Sequence, residues 1–360
     1  MALTGRRQRL DPDVFDLPVE KMRAGWYADA YFNHTRQVLL EDGRHPRVVM
    51  QVFQKNHAYL GGMDEAIAIL KLCAHENDGL VIHALYDGDR IEPWEPVMTI
   101  EGDYTAFAHL ETAYLGTLAR RTLITTNVVR VLEAANGKPI IFMPARHDHQ
   151  RVQAGDGYAA FVAGLVTGAE IGVTSDEQAS WWGGRGIGTV PHSLIAAYGG
   201  DTVLAARKFA EWAPDGMNVT VLVDFENDSV RTALEVADAL GDRLWGVRLD
   251  TSESLVDRSL WQELGDFRPT GVNERLVHKV RDALDAAGHE RVRIVASGGF
   301  TVDKIRQFEE NGVPVDAYGV GSSLIRGSND FTADVVMTDG KPSGKFGRAL
   351  RENPRLDLVE

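Results

Sequence analysis

The sequence has a single cysteine, Cys73, among its 360 residues. One thiol makes neither an intrachain disulfide nor a multi-cysteine zinc cluster, and its isolation fits a reducing cytoplasm. Long apolar runs are missing too. The longest uncharged, apolar-leaning stretch, Gly157 to Ala169, has 13 residues, whereas a membrane-spanning helix needs about 20. The opening MALTGRRQRL is basic and has no apolar core of the signal-peptide kind. Positive charge is in deficit: Lys and Arg number 38 against 52 Asp and Glu, a net charge of −14. A basic face for nucleic acid or an anionic membrane is therefore not expected. A small anionic ligand stays compatible, because a few well-placed arginines set the local field. No low-complexity tract or short repeat stands out.

The composition is that of a folded globular chain, with 44% apolar and 25% charged residues. The length suits about two domains. Residues 1–20 show little periodicity and read as a tail. From 21 to 138 the texture is mixed. Arg47 to Phe53 alternates like a strand, and Met63 to His75 has helical spacing. Short apolar runs at Leu80 to Leu85 and Pro96 to Ile100 suggest strands, and His109 to Leu118 and Arg121 to Ala135 suggest two helices. This order predicts an α+β domain. From 139 to 335 short apolar runs alternate with amphipathic helices. The runs are Ile140–Met143, Glu170–Val173, Gly186–Val190, Val219–Phe225, Trp245–Leu249, Val292–Ala296 and Val315–Val320. Continuous apolar runs of this kind predict buried parallel strands in right-handed strand–helix–strand units. About seven units point to an α/β barrel, complete or incomplete. A doubly wound open sheet would share the periodicity.

In either architecture ligands bind beyond the C-terminal strand ends. Those ends carry Arg146, His147 and His149, then Thr174 and Ser175, then His192, then Asp224 and Glu226. Further along come Arg248, Asp250, Thr251, Ser252 and Glu253, then Ser297, Gly298 and Gly299, and last Gly319, Gly321, Ser322 and Ser323. Lysine is absent from all of these ends, and hydroxyl and acidic groups dominate. A solvated rim would carry a more mixed population. The pair of loops Ser297-Gly-Gly and Gly319-Val-Gly-Ser fits a phosphate cradle, because glycine lets backbone amides approach an anion. Asp250 has the character of a ribose or magnesium ligand, and it would equally serve as a helix cap. His192 is open to several roles: phosphate ligand, general acid, phospho-acceptor or structural histidine. Asp224 reads either as a site acid or as a solvated strand end. His147 and His149 lack an evident third partner for a metal, so an anion-binding loop on Arg146 and His147 is preferred.

With these residues in view, the chain resembles the nicotinate phosphoribosyltransferases, in the shorter branch similar in layout to quinolinate phosphoribosyltransferases. The matching pieces are Tyr27-Ala-Asp29-Ala-Tyr31-Phe, Glu92-Pro-Trp-Glu-Pro-Val-Met-Thr-Ile-Glu-Gly102 and Glu111-Thr-Ala-Tyr-Leu-Gly-Thr-Leu118. Others are Ala145-Arg-His147, Gly188-Thr-Val-Pro-His192-Ser, Val247-Arg-Leu-Asp250, Ser297-Gly-Gly, Gly319-Val-Gly-Ser, Gly340-Lys-Pro and Lys345-Phe-Gly-Arg348. Each is short, and their order and spacing together are specific.

The resemblance implies a quinolinate-phosphoribosyltransferase-like N-terminal domain and an incomplete barrel. A closing segment, 336–360, would pack back on the N-terminal domain. It implies a homodimer with shared active sites, and formation of nicotinate mononucleotide from nicotinate and 5-phosphoribosyl 1-pyrophosphate. Magnesium would assist, and ATP hydrolysis often accompanies the reaction. Tyr31 would stack on the pyridine in a neighbouring subunit's site, and Arg146 would meet the nicotinate carboxylate or a phosphate. Arg248 and Asp250 would hold ribose and pyrophosphate, and Gly298, Gly299, Gly319 and Gly321 would cradle the 5′-phosphate. His192 falls at the phosphorylatable histidine. Asp250-Thr-Ser-Glu253 departs from the common Asp-Ser-Gly-Asp, and a cysteine-rich C-terminal module is absent. The Arg-Lys-Thr and His-Arg motifs of quinolinate enzymes are not visible, which weighs against quinolinate as substrate; quinolinate or nicotinamide transfer, or a catalytically silent ligand-binding homologue, are the other readings.

Overall fold

Runs of Val, Ile, Leu and Ala that stay buried along nearly their whole length organise the second half of the chain. A computed structural model of the protein describes residues 8–75, 79–214, 216–263, 265 and 267–360. Residues 1–7 of the expected tail lie outside the described residues. The chain forms two units. One takes in residues up to Val129, Tyr158–Gly168 and Gly327–Glu360, and the other takes in Arg130–Gly157 and Ala169–Arg326.

The first unit is built on antiparallel strands β1 (Arg47–Phe53), β3 (Val81–Ala84) and β5 (Met98–Asp103), with β2 (Ala58–Tyr59) and β4 (Arg90–Ile91) forming a separate ribbon. Late in the chain, β12 (Thr332–Thr338), β13 (Lys341–Pro342) and β14 (Asp357–Leu358) return to this sheet, giving the order β13-β12-β1-β5-β3-β14. The helix Met63–Cys73 is buried on most of its surface, so its apolar residues do not confine themselves to one stripe. It packs with Met50, Ile100, Phe107 and Tyr114 in one core. The Tyr114 hydroxyl, buried there, donates to Met50 Sδ at 3.1 Å. Near the chain start, Arg9 binds Asp64 at 2.8 Å and stacks over Tyr86. The two helices expected between His109 and Ala135 are one 24-residue helix, Glu111–Ala134. Between Leu118 and Arg121 there is no proline or cap, so nothing interrupts the backbone ladder. The helix ends where Asn136 and Gly137 take positive φ, 51° and 84°.

The second unit is a curled half-barrel of six parallel strands: β6 (Ile140–Phe142), β7 (Ile171–Val173), β8 (Val219–Leu222), β9 (Leu244–Leu249), β10 (Arg293–Ala296) and β11 (Ala317–Val320). Their order is β7-β6-β11-β10-β9-β8. Successive strands are neighbours, and the last strand returns beside the first. That winding is a barrel's and excludes the doubly wound alternative, in which the order reverses at a switch point. β7 and β8 do not pair, and the barrel is open there. The strand expected at Gly186–Val190 falls in this opening. It is reduced to one parallel bridge, Val190 to Val221. Gly186 and Gly188 weaken an extended ladder, and Pro191 has no amide hydrogen to extend it.

Crossover helices begin at side-chain caps. Asp228 caps Ser229–Leu240, Asn273 caps Glu274–Ala286 and Thr301 caps Val302–Glu310. Each of these three crossover helices therefore appears within a residue or two of its sequence reading.

Truncating a fully buried side chain of the first unit tests its core. Leu70→Ala is expected to lower unfolding free energy by about 2–5 kcal/mol, read from urea denaturation. A loss under about 1 kcal/mol would contradict the burial of this helix.

Candidate active site

The C-terminal ends of the half-barrel strands surround a cavity of about 770 Å³. At its floor, Arg248 and Asp250 sit two residues apart at the end of β9 and therefore point the same way. Arg248 Nη2 donates to Asp250 Oδ2 at 3.1 Å, and its Nε donates to Ser297 Oγ at 2.8 Å. Ser297 Oγ lies 2.8 Å from Asp250 Oδ1 and 2.9 Å from Leu249 O. Both carboxylate oxygens are thus held, one by the guanidinium and one by the hydroxyl. Thr189 Oγ1 accepts from Arg248 Nη1 at 3.4 Å. No helix begins at Asp250, so the capping alternative is excluded.

His192 starts a six-residue helix behind Pro191. Its Nε2 lies 2.8 Å from Asp224 Oδ1, whose side chain is only 8% exposed. The hydrogen bond to Asp224 raises the imidazole above its ordinary pKa. Burial opposes that shift, the Asp224 and Asp250 charges add to it, and Arg248 subtracts. Glu226, two residues beyond Asp224, pairs instead with Arg231, so the two carboxylates do not work together.

The glycine loops are tight for identifiable reasons. Gly298 and Gly299 both have positive φ, 84° and 71°. A Cβ on Gly299 would stand 2.0 Å from Glu253 Oε1, and one on Gly319 would stand 2.7 Å from Met143 Cε. The positive φ of Gly299 strains any side chain there, and a Cβ on Gly319 would require the end of the Met143 side chain to move. The Ser323 hydroxyl donates to Phe300 O at 2.8 Å and ties the second loop to the first. Thr301 then opens the nine-residue helix Val302–Glu310, adding the positive end of a helix to the cradle.

The remaining sequence-predicted residues distribute unevenly. Arg146 and His147 lie in a short turn, Ala145–His147, after β6 and line the cavity, as do Gly321 and Ser322. Arg146 has no carboxylate partner among the described residues. Thr174 lines the cavity too, while its hydroxyl donates to Gln178 Oε1 at 3.2 Å. Ser175 caps the following turn and donates to Gln153 Oε1 at 2.8 Å. Thr251 is buried beside Asp250, and its hydroxyl has no hydrogen-bond partner among the described residues. Tyr31 belongs to the first unit, on the helix Ala30–Glu41, and is 59% exposed. Sequence reading passed over Arg326, another cavity-lining residue, and did not single out Thr189, which accepts from Arg248. Thr189 offers only a common residue type, whereas Arg326, just past the last barrel strand, carried a signal in its position.

Known proteins place this architecture. Residues 29–122 match the family described as quinolinate phosphoribosyl transferase, N-terminal domain. The crystal structure of nicotinate-nucleotide pyrophosphorylase from Pyrococcus furiosus is 30% identical, with a TM-score of 0.78 over 95% of this chain and 85% of that one. Nicotinate phosphoribosyltransferase pncB1 of Mycobacterium tuberculosis is 32% identical over 277 residues, 74% of this chain and 56% of that protein. The Bacillus subtilis nicotinate phosphoribosyltransferase is 26% identical over 246 residues, 68% of this chain and 45% of that protein. This chain therefore spans about half the length of these two curated relatives. Half-barrel, cavity and relatives together define the class as phosphoribosyltransferases of the barrel type. Within that class, the chain belongs to the nicotinate phosphoribosyltransferase family, in the layout of the quinolinate enzymes.

The His192–Asp224 contact has a direct signature. Asp224→Asn is expected to move the His192 titration to lower pH, because the bond that favours the imidazolium is weakened. Histidine NMR shifts followed against pH report it, and an unmoved titration would contradict the contact.

Proposed function

We propose that this protein is a cytoplasmic, homodimeric transferase acting with two substrates, nicotinate and 5-phosphoribosyl 1-pyrophosphate. The observation that carries the reading is the Arg248–Asp250–Ser297 clamp in the same cavity as both glycine loops. In the reaction, the pyridine nitrogen's lone pair forms a bond to ribose C1. The C1–O bond to pyrophosphate breaks, and its electron pair leaves with the diphosphate. Nicotinate mononucleotide and pyrophosphate result.

Positive charge builds on the ribose ring as the leaving group departs. Asp250, oriented beforehand by Arg248 and Ser297, is placed to stabilise it, and a fixed carboxylate needs no reorganisation at that moment. The amides of Gly298, Gly299, Gly319 and Gly321 hold the 5′-phosphate. Arg146 meets the nicotinate carboxylate or a phosphate, and Tyr31 stacks on the pyridine in a neighbouring subunit's site, orienting its nitrogen. His192, with Nε2 held by Asp224, couples ATP use to the transfer.

Magnesium fits this site in one manner. Among the described residues, no three His, Cys, Asp or Glu side chains converge as a metal cage. Magnesium usually takes one or two protein carboxylates beside substrate phosphates and keeps its waters, and Asp250 meets that requirement. Bound with the diphosphate, it would neutralise charge on the leaving group.

A second reading, quinolinate as the pyridine, draws support from the match of residues 29–122 to the quinolinate phosphoribosyl transferase N-terminal domain. The missing Arg-Lys-Thr and His-Arg motifs weigh against it.

The test is product formation from nicotinate, quinolinate and nicotinamide, each with and without ATP. Nicotinate is expected to be used fastest, with ATP raising turnover. Use of quinolinate alone would overturn the nicotinate assignment. Asp250→Ala is expected to lower kcat by at least about a hundredfold, the size of losing a main electrostatic stabiliser, with circular dichroism unchanged. Near-normal turnover would remove Asp250 from the mechanism.

A further inference from the structure

The two glycine loops of the cavity carry side-chain charge of opposite sign. At the first, the Glu253 carboxylate crowds Gly299, with Oε1 2.0 Å from where a Cβ would stand. Lys304 donates to Gly298 O of the same loop at 3.4 Å, but it lines a smaller cavity that shares Glu253. Burial lowers the Lys304 pKa, and the Glu253 charge acts against that shift. At the second loop, His147 Cε1 stands 3.0 Å from the position of a Cβ on Gly321. Arg326 Nη2 donates to Ser322 Oγ at 3.4 Å, and both residues line the cavity with Gly321.

Arg326 owes this place to the turn that precedes it. The short turn Ser322–Ile325 follows Gly321 and ends at Arg326. Its Leu324 side chain is buried, and the Leu324 amide donates to Gly321 O at 3.0 Å. The Ser323 hydroxyl is tied to Phe300 O. The backbone that carries Arg326 is therefore held at two points, while Arg326 itself is exposed. β6 and β11 are parallel neighbours, with Val320 opposite Phe142, so the turn bearing Arg146 and His147 leaves beside the second loop.

Most charge on the cavity wall is already compensated. Arg248 binds Asp250, and His192 binds Asp224. What remains is Arg146, Arg326 and the His147 imidazole against the one carboxylate of Glu253. A phosphate between the loops is repelled by Glu253 from one side and attracted by Arg326 from the other. A guanidinium offers five N–H donors in a planar fork that matches phosphate oxygens, and Ser322 takes one of them. Coulomb attraction grows with the charge of the anion, so this arginine favours a phosphate dianion over a carboxylate.

We infer that Arg326 is a specificity-determining residue for the sugar 5′-phosphate, with Glu253 biasing that phosphate toward the second loop. This inference rests on the reading of the cavity as a phosphoribosyl site.

The test is calorimetric titration of the full chain with ribose 5-phosphate. Arg326→Gln is expected to weaken binding at least about tenfold, roughly 1.4 kcal/mol, and Arg326→Lys to recover part of the loss. Glu253→Gln is expected to tighten binding, because a repelling charge is removed. An arginine with a purely structural role would not produce opposite effects at these two positions. All three variants should keep wild-type circular dichroism. In turnover, Arg326→Gln is expected to raise KM for 5-phosphoribosyl 1-pyrophosphate by a similar factor, with kcat and KM for nicotinate within about threefold of wild type.

A wild type that does not bind ribose 5-phosphate, unchanged affinity in Arg326→Gln, weaker binding by Glu253→Gln, or a rise confined to KM for nicotinate would each overturn the inference. Failure of the transferase reading would show separately, as no product from any pyridine. The ribose 5-phosphate titration would then decide the role of Arg326 by itself.

Discussion

The carboxylate of Asp250 governs the arrangement at the floor of the half-barrel's cavity. A carboxylate withdrawn from water needs partners for both oxygens. Here Arg248 supplies one from the same strand, and Ser297 supplies the other from the end of the neighbouring strand. Because β9 and β10 are parallel, with Leu249 opposite Ala296, their ends arrive level and the three groups meet. The same serine begins the first glycine loop. Fixing the acid and shaping the first glycine loop are thus one structural event, and disturbing the register of β9 against β10 would disturb both.

The balance of charge follows from that arrangement. A chain of net charge −14 repels anions at long range. Within the cavity, the acid at the floor is compensated by Arg248, while Arg146 carries no carboxylate partner among the described residues. Backbone amides and a helix start add positive potential without adding charged side chains. An acidic protein can in this way present a locally attractive mouth to a small anion.

Much of this was legible in the sequence because it rests on local signals. Apolar runs buried on both faces mark β8, β10 and β11, and side-chain caps mark the helices between them. The clamp was partly legible, since Arg248 and Asp250 share a face by strand periodicity. Ser297's bond to Asp250, and Asp224's to His192, were not, because each joins residues far apart in sequence through the curl of the sheet. The sequence reading failed where local chemistry was ambiguous. Nothing in Leu118 to Arg121 signals a continuous helix or a break, and Gly186 to Val190 has a strand's length but too many glycines to pair. Glu253 illustrates a different limit. Its residue type shows only a departure from the family pattern, while the structure shows its carboxylate pressed on Gly299.

The most direct measurement is a crystal structure of the protein with 5-phosphoribosyl 1-pyrophosphate and magnesium. The account predicts the 5′-phosphate between the Gly298-Gly299 and Gly319–Gly321 loops, with the ribose over Asp250 and the Arg248–Ser297 contacts intact. A ligand seated away from Asp250, or a clamp that opens to admit it, would contradict the central claim.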